Sequence, residues 1–132
     1  MILDSNVIID LIDPDAPDRI RNTIAALRAG SPPRVNEIIF AEIARAFADA
    51  AEVSGMLAAI EVELERLTLS ECHRAGQAFA EYRRRNGGKS TILPDFLIGA
   101  QAASRGWPLV TRDRKGFASY FPELQIIDPM EA

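Results

Sequence analysis

The first ten residues, MILDSNVIID, limit the possible folds more strongly than any other feature of the chain, because Asp4 interrupts a run of large aliphatic side chains. An unbroken apolar run is typical of a strand that is buried on both faces of a parallel sheet. An ionised carboxylate that is buried there without a partner is strongly destabilising. Asp4 therefore requires a helix to cap, a cation or a metal ion.

Strand and helix signals alternate along the rest of the chain. Short apolar strands are predicted at residues 1–3, 34–35, 67–69, 108–111 and 125–127, with helical periodicity between them. Alternation of this kind places helices on both faces of a parallel sheet. The sequence predicts a three-layer α/β/α sandwich with a central parallel sheet of four to five strands, as a single domain over residues 1–132.

Polar residues ahead of the apolar stripes predict where helices begin. Asp15 or Asp18 precedes a stripe at residues 20–27, Asn36 precedes one that continues to Phe47, and Ser70 precedes another. The apolar stripes at residues 20–27 and 53–64 could pack against the core or contact a second copy or another protein. Both explanations require the same apolar pattern, so the sequence favours neither.

Composition excludes several classes of protein. One cysteine rules out a disulfide framework, and charged residues interrupt every apolar run before it reaches the length of a membrane span. A strand that starts at Ile2 leaves no room for a signal peptide, so we expect a cytoplasmic location and no membrane partner. The net charge of -4 disfavours nucleic-acid binding by the whole surface but not by a local basic patch.

Four acids are expected at one edge of the sheet. In a parallel α/β fold the carboxyl ends of the strands and the amino ends of the helices share an edge, and sites form there. Asp4 and Asp113 follow the first and fourth strands, Glu42 lies in the helix after the second strand, and Asp95 begins the helix before the fourth.

Each acid also has a simpler explanation. Asp95 could cap its helix, Asp113 could form an ion pair with a neighbouring arginine, and Glu42 could be solvated, with Glu37 as the alternative site residue. Together, however, four acids at one edge repel one another unless a positive charge lies among them, and no His, Cys or Lys stands at these positions. A hard divalent cation, Mg²⁺ or Mn²⁺, is the natural occupant, and phosphodiester hydrolysis is the chemistry it suits.

The segments around these acids form a recognisable set: ILDSN at residues 2–6, AEI at 41–43, LPDFLI at 93–98 and LVTRD at 109–113. With these four motifs in order, the sequence resembles the PIN-domain nucleases over nearly its whole length. Among the single-domain members it is similar to the VapC-type toxins of bacterial toxin–antitoxin pairs.

The resemblance implies a sheet order of 3-2-1-4-5 and metal-dependent endoribonuclease activity with Mg²⁺ or Mn²⁺. It also implies an RNA substrate, a cognate antitoxin and a homodimer. The acids at the metal would be Asp4, Glu42, Asp95 and Asp113, with Ser5, Asn6 and Thr111 orienting them through hydrogen bonds.

Two positions depart from the pattern of the family. Asn36 stands where many relatives have Ser or Thr, a change that keeps the capping ability. Lys115 stands where many have a further acid, so the number of metal ions stays open between one and two. The sequence does not indicate which RNA is cleaved.

Basic residues near the acids offer contacts to an RNA backbone. The candidates are Arg83, Arg84, Arg85, Lys89 and Arg112. Cations at the end of a helix are also favoured by the helix dipole alone, so this cluster has a structural explanation of equal weight.

Two other functions compete with the nuclease. A PIN-like module that binds RNA or protein without cutting is compatible with Lys115. An aspartyl-phosphate phosphatase is disfavoured, because such enzymes need a second Asp where this chain has Asn6.

Overall fold

Five two-residue strands form one parallel sheet in the computed structural model, which describes residues 1–86, 93–113 and 116–131. The strands are β1 (Ile2–Leu3), β2 (Arg34–Val35), β3 (Glu63–Leu64), β4 (Leu109–Val110) and β5 (Ile126–Ile127). Their order is β3-β2-β1-β4-β5, and every neighbouring pair is parallel. The predicted α/β class and the strand order 3-2-1-4-5 are both confirmed.

Helices connect the strands and cover the sheet. They are α1 (Ser5–Ile12), α2 (Asp18–Arg28), α3 (Glu37–Ala44), α4 (Ala50–Ala59), α5 (Leu69–Asn86) and α6 (Leu93–Arg105), with a 3₁₀ turn at Gly116–Tyr120. None of the helices in the described ranges combines the length and apolar character that crossing a membrane requires.

The central strands are buried because helices lie on both faces of the sheet. The side chains of β1 and β4 have no solvent exposure, and they pack against apolar residues from the helices: Val7, Ile8, Ile20, Ile24, Ile39, Ile43, Phe96 and Ile98. Aromatic rings fill the space between α5, α6 and the 3₁₀ turn. The rings of Phe96 and Tyr82 have centroids 5.5 Å apart, and Tyr120 lies 5.7 Å from Phe96.

In the described ranges four helices, α1, α3, α4 and α5, begin with side-chain caps, and those of α3 and α5 bear on the sequence predictions. The Oδ1 atom of Asn36 accepts hydrogen bonds from the Ile38 and Ile39 amides, both at 3.0 Å, as the sequence predicted. Helix α5 is capped by Thr68 and not, as expected, by Ser70. Its Oγ1 accepts from the Glu71 amide at 3.1 Å while Glu71 Oε1 accepts from the Thr68 amide at 2.8 Å, which is a capping box.

Some predicted boundaries were wrong. The third strand lies at β3 and not at residues 67–69, where Leu69 is 88% exposed and already begins α5. Helix α4 ends at Ala59 because Glu61 adopts a positive φ of 58°. Helix α3 ends at Ala44, before Phe47, and Pro17 stands at the start of α2 without a side-chain capping bond.

Candidate active site

Asp4 joins the first strand to the first helix. It is 3% exposed, and its Oδ1 atom accepts a hydrogen bond from the Ser5 amide at 2.8 Å. Its carbonyl oxygen accepts from the Val7 and Ile8 amides at 3.0 and 3.2 Å, which starts the helix. Asp4 is therefore the N-cap of α1 as well as a predicted site residue.

The second carboxylate oxygen of Asp4 faces the neighbouring strand. Because Leu3 pairs with Val110, the residues that follow them, Asp4 and Thr111, lie side by side at the carboxyl end of the sheet. Thr111 is 1% exposed, and its hydroxyl donates to Asp4 Oδ2 at 2.8 Å.

Asn6 connects this pair to Asp113. Its Nδ2 atom donates to Asp113 Oδ2 and to Thr111 Oγ1, each at 3.2 Å, and lies 3.5 Å from Asp4 Oδ2. The Asp113 amide donates to Thr111 Oγ1 at 3.1 Å. The threonine hydroxyl thus uses its one hydrogen on Asp4 and accepts two hydrogen bonds, which fills its capacity.

Of the residues predicted to orient the carboxylates, Asn6 contacts those of both Asp4 and Asp113, and Thr111 contacts the Asp4 carboxylate and the Asp113 backbone amide. Ser5 contacts Asp4 through its backbone amide. The contacts are those that such a role requires, while the role itself stays a prediction.

The other two predicted acids lie on separate elements. Asp95 is half-buried in the first turn of α6, and Glu42 is exposed on α3. The hydrogen bonds described above connect Asp4 with Asp113. That Asp95 and Glu42 share one metal site with these two acids stays a prediction. Glu37, the alternative to Glu42, accepts a hydrogen bond from the Leu67 amide at 2.8 Å and so ties α3 to the segment before α5.

The donors at this edge suit a hard divalent cation. Mg²⁺ is commonly held by one or two carboxylates and keeps several waters, so the linked carboxylates of Asp4 and Asp113 fit such an ion. Within residues 1–86, 93–113 and 116–131, no three His, Cys, Asp or Glu side chains are already grouped closely enough to bind a metal.

The predicted RNA-binding arginines already have partners within the protein. Arg84 and Arg85 both form ion pairs with Glu81, and Arg83 lies with its guanidinium carbon 5.9 Å from the centroid of the Phe79 ring. Exposed pairs of this kind contribute little to stability, so they leave the arginines able to exchange partners. Lys89 and Lys115 lie outside the described residues.

Arg112 is held by an acid that the sequence analysis did not single out. Its Nη1 atom donates to Asp10 Oδ1 and Oδ2 at 3.0 and 2.9 Å. The helical spacing could have identified Asp10, because residues four apart share a face and Asn6 lies four positions earlier.

A second unpredicted group is a buried amide pair. Asn36 Nδ2 donates to Gln101 Oε1 at 2.9 Å, and Gln101 Nε2 donates to the Glu65 carbonyl at 3.0 Å. Both side chains are fully buried, and together they join α3, α6 and the end of β3. A lone Gln within the small and apolar run of α6 was the available sequence signal.

Fold and site together define a class: a three-layer α/β domain with hydrogen-bonded acids after the first and fourth strands of its sheet. A comparison with family models matches residues 1–120 to the PIN domain. The chain belongs to the PIN domain family. A comparison with curated protein sequences found no match.

Several solved structures share the fold. The chain is similar to VapBC from Salmonella typhimurium bound to DNA, with a TM-score of 0.72, 20% identity, and coverage of 97% of this chain and 96% of that one. VapBC2 from Rickettsia felis bound to a promoter DNA fragment gives a TM-score of 0.71 at 18% identity, covering 96% of each chain. FitAcB from Neisseria gonorrhoeae gives 0.71 at 17% identity, covering 99% of each chain.

Proposed function

We propose that this protein is a metal-dependent endoribonuclease that hydrolyses RNA phosphodiester bonds. The observation that carries the proposal is the hydrogen-bonded linkage of Asp4 to Asp113 through Asn6 and Thr111 at the carboxyl end of the sheet. Membership of the PIN family supports the same reaction class. A nearly buried acid that is kept beside a second acid is poorly explained by folding stability alone.

The acids would hold Mg²⁺ or Mn²⁺, with Asp4 and Asp113 as the first pair and Asp95 and Glu42 completing the set. A divalent ion bound there lowers the pKa of water and offsets negative charge on a phosphoryl oxygen. Thr111 and the Ser5 amide fix the two carboxylate oxygens of Asp4, and Asn6 fixes Asp113. These contacts hold both carboxylates in place, so little reorganisation of this pair is needed when the ion and the RNA bind.

The biological role we propose is that of a growth-inhibiting toxin with a cognate antitoxin. The VapBC complexes from Salmonella typhimurium and Rickettsia felis, which share the fold, support this partner class. Exposed apolar side chains, Ile9 at 49% and Leu69 at 88%, offer contact area for an antitoxin or for a second copy in a homodimer. We expect the protein to act in the cytoplasm, where RNA and antitoxin are available.

Cleavage of RNA by the purified protein tests the nuclease. We expect hydrolysis with Mg²⁺ or Mn²⁺, none with EDTA, and a loss of several orders of magnitude in Asp4→Asn and Asp113→Asn. The matched control is Asp18→Asn, which removes one exposed acid of α2, 92% exposed in its side chain, and should retain full activity. Cleavage that survives EDTA would contradict the proposal.

The main alternative is a PIN-like module that binds RNA or protein without cutting it. In the described part of the chain no three acids are grouped for a metal, and this favours the alternative. RNA binding without cleavage under all metal conditions would establish it. Growth arrest on expression, relieved by a co-expressed neighbouring gene and absent with Asp4→Asn, would instead support the toxin.

A further inference from the structure

Asp10 lies close to the candidate site but is not one of its predicted acids. It follows Asn6 by one helical turn of α1, and its side chain is 11% exposed. A carboxylate with so little access to solvent requires a partner. The partner is Arg112, whose Nη1 atom lies 3.0 and 2.9 Å from the two carboxylate oxygens.

Helix α1 holds Arg112 at two points. The Arg112 amide donates to Asn6 Oδ1 at 3.2 Å, and its guanidinium is bound by Asp10. Arg112 also lies between Thr111 and Asp113 in sequence, and the acid that binds its guanidinium stands one helical turn from Asn6, which contacts the carboxylates of Asp4 and Asp113. One face of one helix thereby determines where the arginine stands relative to the site.

The ion pair uses only one of the guanidinium nitrogens. Both oxygens of Asp10 contact Nη1, and in the described ranges no residue accepts a hydrogen bond from Nε or Nη2 of Arg112. The Arg112 side chain is 44% exposed. An arginine has five N–H donors in a rigid fork, and the Nε/Nη2 edge is the one that binds a phosphate through two parallel hydrogen bonds.

We infer that Asp10 is a positioning residue that holds Arg112 by Nη1 so that its Nε/Nη2 edge binds a backbone phosphate of the RNA strand at the Asp4–Asp113 site. The inference rests on the proposed function, since it requires RNA at that site. It extends that function by assigning a role to an acid that would otherwise only repel RNA. An ordinary ion pair between α1 and the segment after β4 is the competing explanation.

The two explanations predict opposite signs for one substitution. Asp10→Asn removes a negative charge, which by general electrostatics should strengthen RNA binding or leave it unchanged. If Asp10 positions Arg112, the same change should weaken binding severalfold because the guanidinium is no longer oriented. Asp18→Asn is the matched control, since it removes an acid that also pairs with an arginine, at 3.7 Å, on the neighbouring helix α2.

Binding can be measured without catalysis. The probe is a short fluorescein-labelled single-stranded RNA with 2′-O-methyl riboses, which cannot be cleaved by attack of its own hydroxyls. It is titrated by fluorescence anisotropy in EDTA, which removes the metal ion that the proposed hydrolysis by water requires. We expect Arg112→Ala to weaken binding about tenfold, the scale of a charge-assisted contact. Its slope of log affinity against log salt should fall by about 0.7, the value for one phosphate on a single strand.

A double-mutant cycle then tests the coupling. Asp10→Asn should weaken binding in the wild type but not in Arg112→Ala, because no cation is left to position. Circular dichroism and thermal melting show whether each variant is folded. Should Asp10→Asn fail to fold, Arg112→Lys serves instead: it keeps the charge but loses the fork, and we expect binding to weaken severalfold.

The outcomes separate this inference from the proposed function. A folded Asp10→Asn that binds as tightly as Asp18→Asn or the wild type overturns the positioning role, as does wild-type affinity in Arg112→Lys. If the wild type nevertheless cleaves RNA in an EDTA-sensitive reaction, the nuclease stands without it. A wild type that neither binds the probe nor cleaves RNA overturns both.

Discussion

Asp4 serves two purposes with its two oxygens. Oδ1 caps α1 through the Ser5 amide, and Oδ2 receives the Thr111 hydroxyl beside the other acid of the site. Asn can replace Asp as a helix cap, but it cannot supply an ionised ligand. Capping and ion binding can therefore be separated by comparing two substitutions at this residue.

We expect Asp4→Asn to abolish activity while leaving stability equal to or above that of the wild type, because the kept cap and the removed repulsion from Asp113 offset the lost hydrogen bond from Thr111 to Oδ2. Asp4→Ala should lose the cap and cost roughly 0.5–2 kcal/mol. Urea denaturation followed by circular dichroism measures both variants beside the cleavage assay. A large destabilisation by Asp4→Asn would show that the charge itself is structural.

Substitution of Thr111 tests the hydrogen bonds that connect Asp4 with Asp113. Thr111→Val keeps the shape but removes the hydroxyl that contacts Asp4 Oδ2, the Asn6 amide and the Asp113 amide. We expect a loss of about 1–3 kcal/mol in stability, because buried polar groups lose their partner, together with weaker activity.

Thr111→Ser is the control, since it keeps the hydroxyl and should retain more of both properties than Thr111→Val. Equal behaviour of the Val and Ser variants in unfolding and cleavage assays would contradict the role of the hydroxyl.

At the scale of elements, an ion pair joins the start of α5 to the end of α6. Arg105 contacts Glu71 through Nε and Nη2 at 2.7 and 3.0 Å, and its Nη2 also donates to the Arg66 carbonyl at 2.7 Å. Burial alone would raise the pKa of Glu71, but hydrogen bonds from Arg105 and Thr68 hold the pKa below its ordinary value. The folded state therefore favours the ionised carboxylate.

This lowered pKa predicts a pH dependence of stability. The stabilisation by Glu71 is complete above its ordinary pKa of 4.5 and is lost as the pH falls through the lower pKa of the folded state. Glu71→Gln keeps an oxygen for the capping box but removes the charge, and we expect it to cost about 1–3 kcal/mol near pH 7. Urea unfolding across pH should show the two proteins converging below pH 4.5, whereas a constant difference would contradict the assignment.

The sequence predicted elements well where burial or capping leaves a local signal. The buried strand before Asp4 and the cap at Asn36 are both of this kind. The edge strand β3 was misplaced because both of its residues are exposed, so no apolar pattern marks it, and its position depends on hydrogen bonds to β2. The cap of α5 was assigned to Ser70 and not Thr68, an error of two residues within a polar segment.

At the scale of the whole molecule, the site joins residues that are distant in the chain. The connection of Asp4 to Asp113 through Asn6 and Thr111 could be expected because adjacent parallel strands end at the same edge. The pairing of Asp10 with Arg112 could not, since many acids of the chain could have bound that cation and only side-chain geometry selects one. Topology can thus be inferred from a pattern, whereas the choice among equivalent charges needs coordinates.

Metal binding to the whole protein gives a test that is independent of RNA. A ligand that binds only the folded state stabilises it, by about 2.7 kcal/mol at a hundredfold excess over Kd. We therefore expect Mg²⁺ or Mn²⁺ to raise the Tm of the wild type by several degrees, a shift that EDTA reverses.

The rise in Tm should be much smaller in Asp4→Asn and in Asp113→Asn, because each removes one of the two linked carboxylates. It should persist in the control Asp18→Asn, where the lost acid is remote in sequence and exposed. Differential scanning calorimetry on all four proteins measures these shifts. An equal rise in every variant would place the ion elsewhere on the surface, and the linked acids would then need another explanation.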